Sequence, residues 1–271
     1  MRQALFTAQK VTEKPDVIYQ SIQRASAILS DLPANMAPAE GSSIIFHAVA
    51  NYLGVADPYQ EEKEKYNRLA LQLYPHLVYY VDRARDPLEA AIRIAAQGNA
   101  IDLSVIEGMD IDNLLTSLPE TEWAINDYSS FQEDIKKAQS ILYLGDNAGE
   151  IVFDRVLVER LPKGTVSYVV KSSPVVNDVT LQDALQSEIN QTVVILETGS
   201  NFAGVPLGRC SAEFLQAFSK ADLIISKGQA NFETLDNEKL NIYFLLKVKC
   251  NHIAQYLGVR IGDIVLKKQL R

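Results

Sequence analysis

Asp146, Asn147 and Glu150 follow closely on one another at the end of the apolar run 141–144. Oxygen donors of this kind suit a hard divalent cation such as Mg²⁺ or Mn²⁺. Asp178, with Asn177 before it, adds a carboxylate and an amide after a second apolar run, and Lys227 adds a cation at the end of another. A lysine, a metal and the exposed backbone amides of small Gly and Ser residues suit a phosphoryl group, whose oxygens gain charge during transfer. No His and no activated Cys falls among these residues, so metal-assisted hydrolysis is the economical mechanism. A structural reading competes at each position. Asp146 and Asn147 could cap the next helix, Glu150 could answer a helix dipole, and Lys227 could be a solvated surface lysine.

These residues need a scaffold that brings them together. Apolar runs at 140–144, 166–170, 192–196 and 222–226 alternate with helical patterns at 151–161, 181–187, 211–220 and about 241–257. Strand and helix in alternation mean βαβ units and a parallel sheet. The polar loop ends after the runs, among them Asn177, Ser200 and Asn231, then share the carboxyl edge where such sheets bind ligands. They are the candidates for holding a substrate. Residues 1 to about 130 read helical instead. Val17, Ile18, Ile22 and Ile28 repeat at helical spacing, as do Ile44, Ile45, Ala48, Val49 and Leu53 before Gly54. The pattern continues over 61–80 with a break expected at Pro75. Asp86 and Pro87 open a further helix over 88–97, and 123–139 reads as one more. A helical bundle or cap is the simplest account of this half.

Composition bounds the partners. The chain has 271 residues, 47% hydrophobic and 22% charged, with a net charge of −8, and can hold one large or two modest domains. Such an acidic balance argues against a nucleic-acid binder, while a bound cation can still draw an anionic substrate. Cys210 and Cys250 fit no metal-ligand spacing and read as free thiols of a reducing compartment. His47, His76 and His252 are scattered and read as structural. Met1-Arg2-Gln3 leads into a polar amphipathic segment rather than a signal peptide, and no run reaches the ~18 apolar residues of a membrane span. The expectation is a cytoplasmic protein with no membrane partner.

Other nucleotide and phosphate chemistries fit less well. Gly145-Asp-Asn-Ala-Gly149 lacks the G-x-G-x-x-G spacing of a dinucleotide loop. Lys171 stands where an acid would hold a ribose. Neither a P-loop nor a D-x-D pair after the first run occurs in the sequence.

Taken in order, Gly145-Asp146-Asn147-Ala148-Gly149-Glu150, Asn177-Asp178-Val179-Thr180 and Lys227-Gly228-Gln229-Ala230-Asn231-Phe232-Glu233-Thr234-Leu235 resemble the family long filed as domain of unknown function 89. Its members are metal-dependent damage-control phosphatases. Gln97-Gly98-Asn99-Ala100-Ile101-Asp102 resembles the family's G-N-x-x-D signature. The likeness covers nearly the whole chain and is nearest the short stand-alone prokaryotic and archaeal branch. It implies an α/β fold: a helical N-terminal domain (1–125) packed on a Rossmann-like parallel-sheet domain (126–271), with the active site between them. It implies that Asp146, Asn147 and Asp178 bind the metal, which the oxygen donors suit as Mn²⁺, Co²⁺, Ni²⁺ or Mg²⁺. It further implies that Lys227 holds phosphate, with Asn99 and Asp102 reaching in from the helical domain. Glu150 is the acid–base candidate beside Asp146. The substrates implied are small phosphorylated metabolites such as sugar phosphates. Stand-alone members usually carry a C-x-x-C pair before a segment like Arg2-Gln3-Ala4, and this chain has none. Two alternatives stand beside this reading: a methyl-donor-dependent carboxyl methyltransferase and a non-catalytic metal- or metabolite-binding protein.

Overall fold

The computed structural model describes residues 1–34, 36–98 and 122–269. Asn99 and Asp102 therefore lie outside the described residues. Three helices open the chain: α1 (Arg2–Val11), α2 (Pro15–Leu29) and α3 (Pro38–Leu53). They close on one another through Ala4, Ala8, Ala25, Ile45 and Val49, the alanines allowing near approach. Proline in the first turn starts α2 and α3, where a missing N–H costs nothing. Two longer helices follow, α4 (Gln60–Arg83) and α5 (Pro87–Gly98). Asp86 caps α5, its Oδ1 accepting the N–H groups of Leu88 and Glu89 at 3.1 Å each.

Pro75 does not break α4 as the sequence pattern suggests; the helix runs through it. Leu69, Leu73, Leu77 and Val81 recur every four residues and are all buried. Each such side chain contributes roughly 1.5–3 kcal/mol on burial, which together outweighs the ~3 kcal/mol that an interior proline costs.

The rest of the chain builds a seven-stranded sheet from β1 (Trp123–Asn126), β2 (Ile141–Leu144), β3 (Val166–Val170), β4 (Val194–Glu197), β5 (Leu223–Lys227), β6 (Ile242–Lys247) and β7 (Ile264–Lys268). The helices are α6 (Tyr128–Lys137), α7 (Glu150–Val158), α8 (Leu181–Gln186), α9 (Ala212–Lys220), α10 (Gln229–Leu235) and α11 (Asn251–Leu257). Two expectations are corrected here. Residues 123–139 are a strand and then a helix, because Trp123-Ala-Ile-Asn126 alternates half-buried and exposed as an edge strand does. Residues 242–247 are the strand β6 and not the start of a helix. Ile242-Tyr-Phe-Leu-Leu246 is buried on every side, and such a run carries no periodicity to tell the two states apart. The closing strand β7 is likewise a feature of the structure that the alternation left out.

Across the sheet the order is β1-β7-β6-β5-β2-β3-β4. The five strands from β6 to β4 are mutually parallel, while β7 pairs antiparallel with β6 and carries β1 parallel to itself. From β2 the chain moves outward through β3 to β4, then returns to place β5 on the other side of β2. That reversal opens a crevice at the carboxyl ends of β2 and β5, where open α/β sheets take their ligands. One face is covered by α4, α5, α6 and α7, with Leu73, Ile92, Phe131 and Phe153 packed over Tyr143, Tyr168 and Ile225. The other is covered by α9, α10 and α11, with Phe214, Phe232 and Ile253 over Leu142, Ile224 and Phe244. Helix α3 sits over the carboxyl edge. Phe46 and Tyr59 pack on Val175 and Ala203, and Ser43 Oγ accepts the Ala203 N–H at 2.9 Å. Among the described residues no helix is long and apolar enough to cross a membrane.

Candidate functional site

The register between the central strands sets the site. Leu144 pairs with Ser226, so the next residues bring Asp146 beside Gly228. Gly228 has φ +80°, and a Cβ on it would fall 1.9 Å from Asp146 Oδ2. Only glycine allows both the turn and the approach. The Asp146 carbonyl accepts the Val179 N–H at 2.9 Å, and Asn147 forms an isolated antiparallel bridge with Asp178. This short crossing ties the loop after β3 to the loop after β2. Asp146, Asn147 and Asp178 are thereby gathered from segments about 30 residues apart in sequence, with Asp146 only 6% and Asp178 only 5% exposed.

The cluster is crowded with negative charge. Asn147 Nδ2 donates to Asp146 Oδ2 at 2.9 Å and to Glu150 Oε1 at 2.8 Å. Burial, then the carboxylates of Glu150 and Asp178, push the Asp146 carboxyl up to about 7. Burial pushes Asp178 up to about 6 against the pull of Lys171 and Lys63. Asp178 Oδ2 is buried and accepts no hydrogen bond, while Lys171 Nζ stands 3.7 Å away.

Lys227 is fully buried, which removes the surface-lysine reading. Its Nζ donates to Asp154 Oδ1 at 2.5 Å and reaches Glu150 Oε2 at 3.5 Å. Asp154 also accepts the hydroxyls of Tyr143 and Tyr168, each at 2.8 Å. Burial alone would lower the Lys227 pKa, but Asp154 and Glu150 outweigh it and hold the ammonium charged. The lysine therefore braces Glu150 from beneath. Asn231, 1% exposed, donates from Nδ2 to the carbonyls of Gly145 (3.1 Å) and Lys227 (2.8 Å) and so clamps the two strand ends together. Asn177 contributes its carbonyl to the Ala148 N–H at 2.9 Å. Ser200 lies on the loop after β4, where its Oγ accepts the Phe202 N–H at 3.2 Å.

Asp154, Lys171, Tyr143 and Tyr168 escaped the sequence reading. Asp154 carried a legible signal: a lone acid in the apolar helical run Ile151-Val152-Phe153, one turn after Glu150. Lys171 stands at a strand end, where its sequence context marks it only as a misfit for ribose. The tyrosines alternate in strands like any core residue, and only their shared partner reveals them.

The donor set fits a divalent ion. Asp146, Glu150, Asp154 and Asp178 bring four buried carboxylates against the buried ammoniums of Lys171 and Lys227. Lys63, the other buried lysine near the cluster, is engaged by Asp57 and Asp183 at 3.1 Å each. The carboxylates outnumber the ammoniums, an acidic excess that a divalent cation would offset, and Asp178 Oδ2 offers an unused lone pair. The ligands would be carboxylate and amide oxygens. Among the described residues no three His, Cys, Asp or Glu side chains form a metal cage.

Residues 1–265 match the family described as the damage-control phosphatase ARMT1-like domain. The chain belongs to that family. It is 35% identical to the uncharacterized protein MJ0202 of Methanocaldococcus jannaschii, over 99% of this chain and 92% of that one. It is 33% identical to the damage-control phosphatase PH1575 of Pyrococcus horikoshii (95% and 91% covered), and 32% identical to a damage-control phosphatase of Archaeoglobus fulgidus (97% and 93% covered). The crystal structure of the Pyrococcus protein, described as a member of the domain of unknown function 89 family, superposes with a TM-score of 0.91 over 99% of this chain and 95% of its own. The family that the ordered motifs resemble is thus the family of the chain, and the helical-plus-parallel-sheet architecture is that of its structural relative.

Proposed function

We propose that this protein is a divalent-metal-dependent phosphatase acting on small phosphate esters such as sugar phosphates or damaged phosphometabolites. The observation that carries the reading is the gathering of Asp146, Asn147 and Asp178 at the sheet's switch point, in a buried cluster where carboxylates outnumber ammoniums. Relatives named damage-control phosphatases support it.

Asp146, Asn147 and Asp178 would hold the ion. When bound, a divalent metal supplies charge neutralisation at the phosphoryl oxygens and a lowered pKa for an attacking water. Glu150 is the proton acceptor, held by Asn147 Nδ2 and by Lys227. Lys227 adds a fixed positive charge beneath the phosphoryl position and holds the Glu150 side chain in place. Asn231 holds the two loops at their spacing. Asn177 and Ser200 line the edge where the rest of the substrate lies, and a share in substrate binding is assigned to Asn99 and Asp102 on their likeness to the family's G-N-x-x-D signature alone.

A screen of phosphate release across metals and phosphate esters tests this. Excess chelator should abolish activity, and Mn²⁺, Co²⁺, Ni²⁺ or Mg²⁺ should restore it. Undiminished turnover in excess chelator would overturn the metal-dependent reading.

A further inference from the structure

Helix α4 reaches the site without adding a carboxylate to it. Asn67 is fully buried. Its Oδ1 accepts the Gly149 N–H at 2.7 Å, and its Nδ2 donates to Asp183 Oδ1 at 2.9 Å and to Gln186 Oε1 at 3.0 Å. Gly149, at φ +81°, immediately precedes Glu150 and starts α7. On the other side, Asp183 Oδ2 accepts the Thr180 N–H at 2.8 Å and the Thr180 hydroxyl at 2.7 Å. Lys63, one turn back along α4, reaches the same Asp183 oxygen at 3.1 Å. Thr180 lies two residues past Asp178, and Val179 between them is pinned by Lys171, whose N–H it accepts at 2.9 Å.

One amide therefore spans the two loops that carry the carboxylates. It needs an acceptor toward Gly149 and donors toward Asp183, and only an amide of this length has both. A leucine would satisfy the core around it yet strand a buried N–H and a buried carboxylate oxygen. Packing alone thus gives no reason for an asparagine here, on the same helix as buried Leu69 and Leu73.

We propose that Asn67 is a positioning residue that sets the separation of the Asp146–Glu150 and Asp178–Thr180 loops and so tunes metal affinity. This rests on the metal-dependent reading above. The test is Mn²⁺ binding, followed by the electron paramagnetic resonance of free Mn²⁺, on the full-length wild type, on N67D and on the swap N67D/D183N. N67D keeps the acceptor for Gly149 but turns a donor into a charge facing Asp183. The swap reverses donor and acceptor and restores the bond between positions 67 and 183, with the Gln186 amide turned to donate and Lys63 keeping its pair with Asp57.

Partners outside the ligand shell typically govern metal affinity by 10–100-fold, so N67D should bind Mn²⁺ at least tenfold more weakly, and the swap should recover most of the loss. Wild-type affinity in N67D, even with a lowered metal-free melting temperature, would reduce Asn67 to a structural tie and overturn the proposal. If N67D does not fold, N67S keeps a hydroxyl that cannot span both loops and must show the same tenfold loss. If the wild type itself binds no Mn²⁺, the metal reading falls and this inference with it.

Discussion

Gly228 stands against the carboxylate of Asp146 so closely that a Cβ would lie 1.9 Å from Oδ2. The strand ends of β5 and β2 therefore meet without a side chain between them. Gly228→Ala meets two obstacles at once, the φ of +80° and the overlap with the carboxylate. Backbone strain of this kind costs roughly 1–3 kcal/mol, and relief of the overlap must move Asp146. We expect a lower melting temperature together with a large loss of Mn²⁺ affinity. A variant that melts lower but binds Mn²⁺ as the wild type does would separate the glycine from the site.

The raised carboxyls make the metal-free protein sensitive to pH. Asp146 and Asp178, pushed up to about 7 and about 6, bind protons in the folded state that they have already released in the unfolded one, where the usual value is ~3.9. Stability falls with pH wherever the folded state binds more protons. In chelator, this contribution is present below about pH 4 and is lost as pH rises through 6 to 7. Melting curves at pH 5 and pH 8 should show the drop, and Asp146→Asn should shrink it. Added Mn²⁺ should restore stability at pH 8, because the deprotonated carboxylates are then the ligands. An identical pH dependence in wild type and Asp146→Asn would refute the assignment.

Lys227 does two things that mutation can separate. Lys227→Met leaves Asp154 buried without its cation, and breaking a buried pair this way costs about 3–5 kcal/mol. Adding Asp154→Asn removes the stranded charge while keeping polar atoms for the hydroxyls of Tyr143 and Tyr168. Thermal denaturation should therefore show the double variant more stable than Lys227→Met alone. Its turnover should stay ~10²–10³-fold below wild type, the usual cost of losing one preorganised charge-stabilising group. Recovery of turnover along with stability would make the lysine purely structural.

Asn99 is proposed to act on substrate rather than on the fold. Replacing a residue that serves the substrate rather than the packing ordinarily costs about 1 kcal/mol or less, so Asn99→Ala should melt near the wild type while kcat/KM falls. A loss of several kcal/mol with an unchanged rate for the folded fraction would make its role purely structural.

Much of this protein is legible in its residues. The alternation of apolar runs and amphipathic helices encodes a parallel sheet, since strands buried on both faces read as near-continuous apolar runs. The motifs around Asp146, Asp178 and Lys227 mark the carboxyl edge, because polar residues at strand ends have nowhere else to point. Tertiary structure decided the rest. Pro75 is tolerated because four buried apolar side chains hold α4 in place. The run 242–246 became a strand because β5 offered it a partner. Lys227 was drawn inward by Asp154, 73 residues away, and Asn67 joined Gly149 and Asp183 across 82 and 116 residues. Periodicity reports which side of an element faces the core. Which buried polar group meets which is set by the order of strands in the sheet, and no local pattern in the chain carries that order.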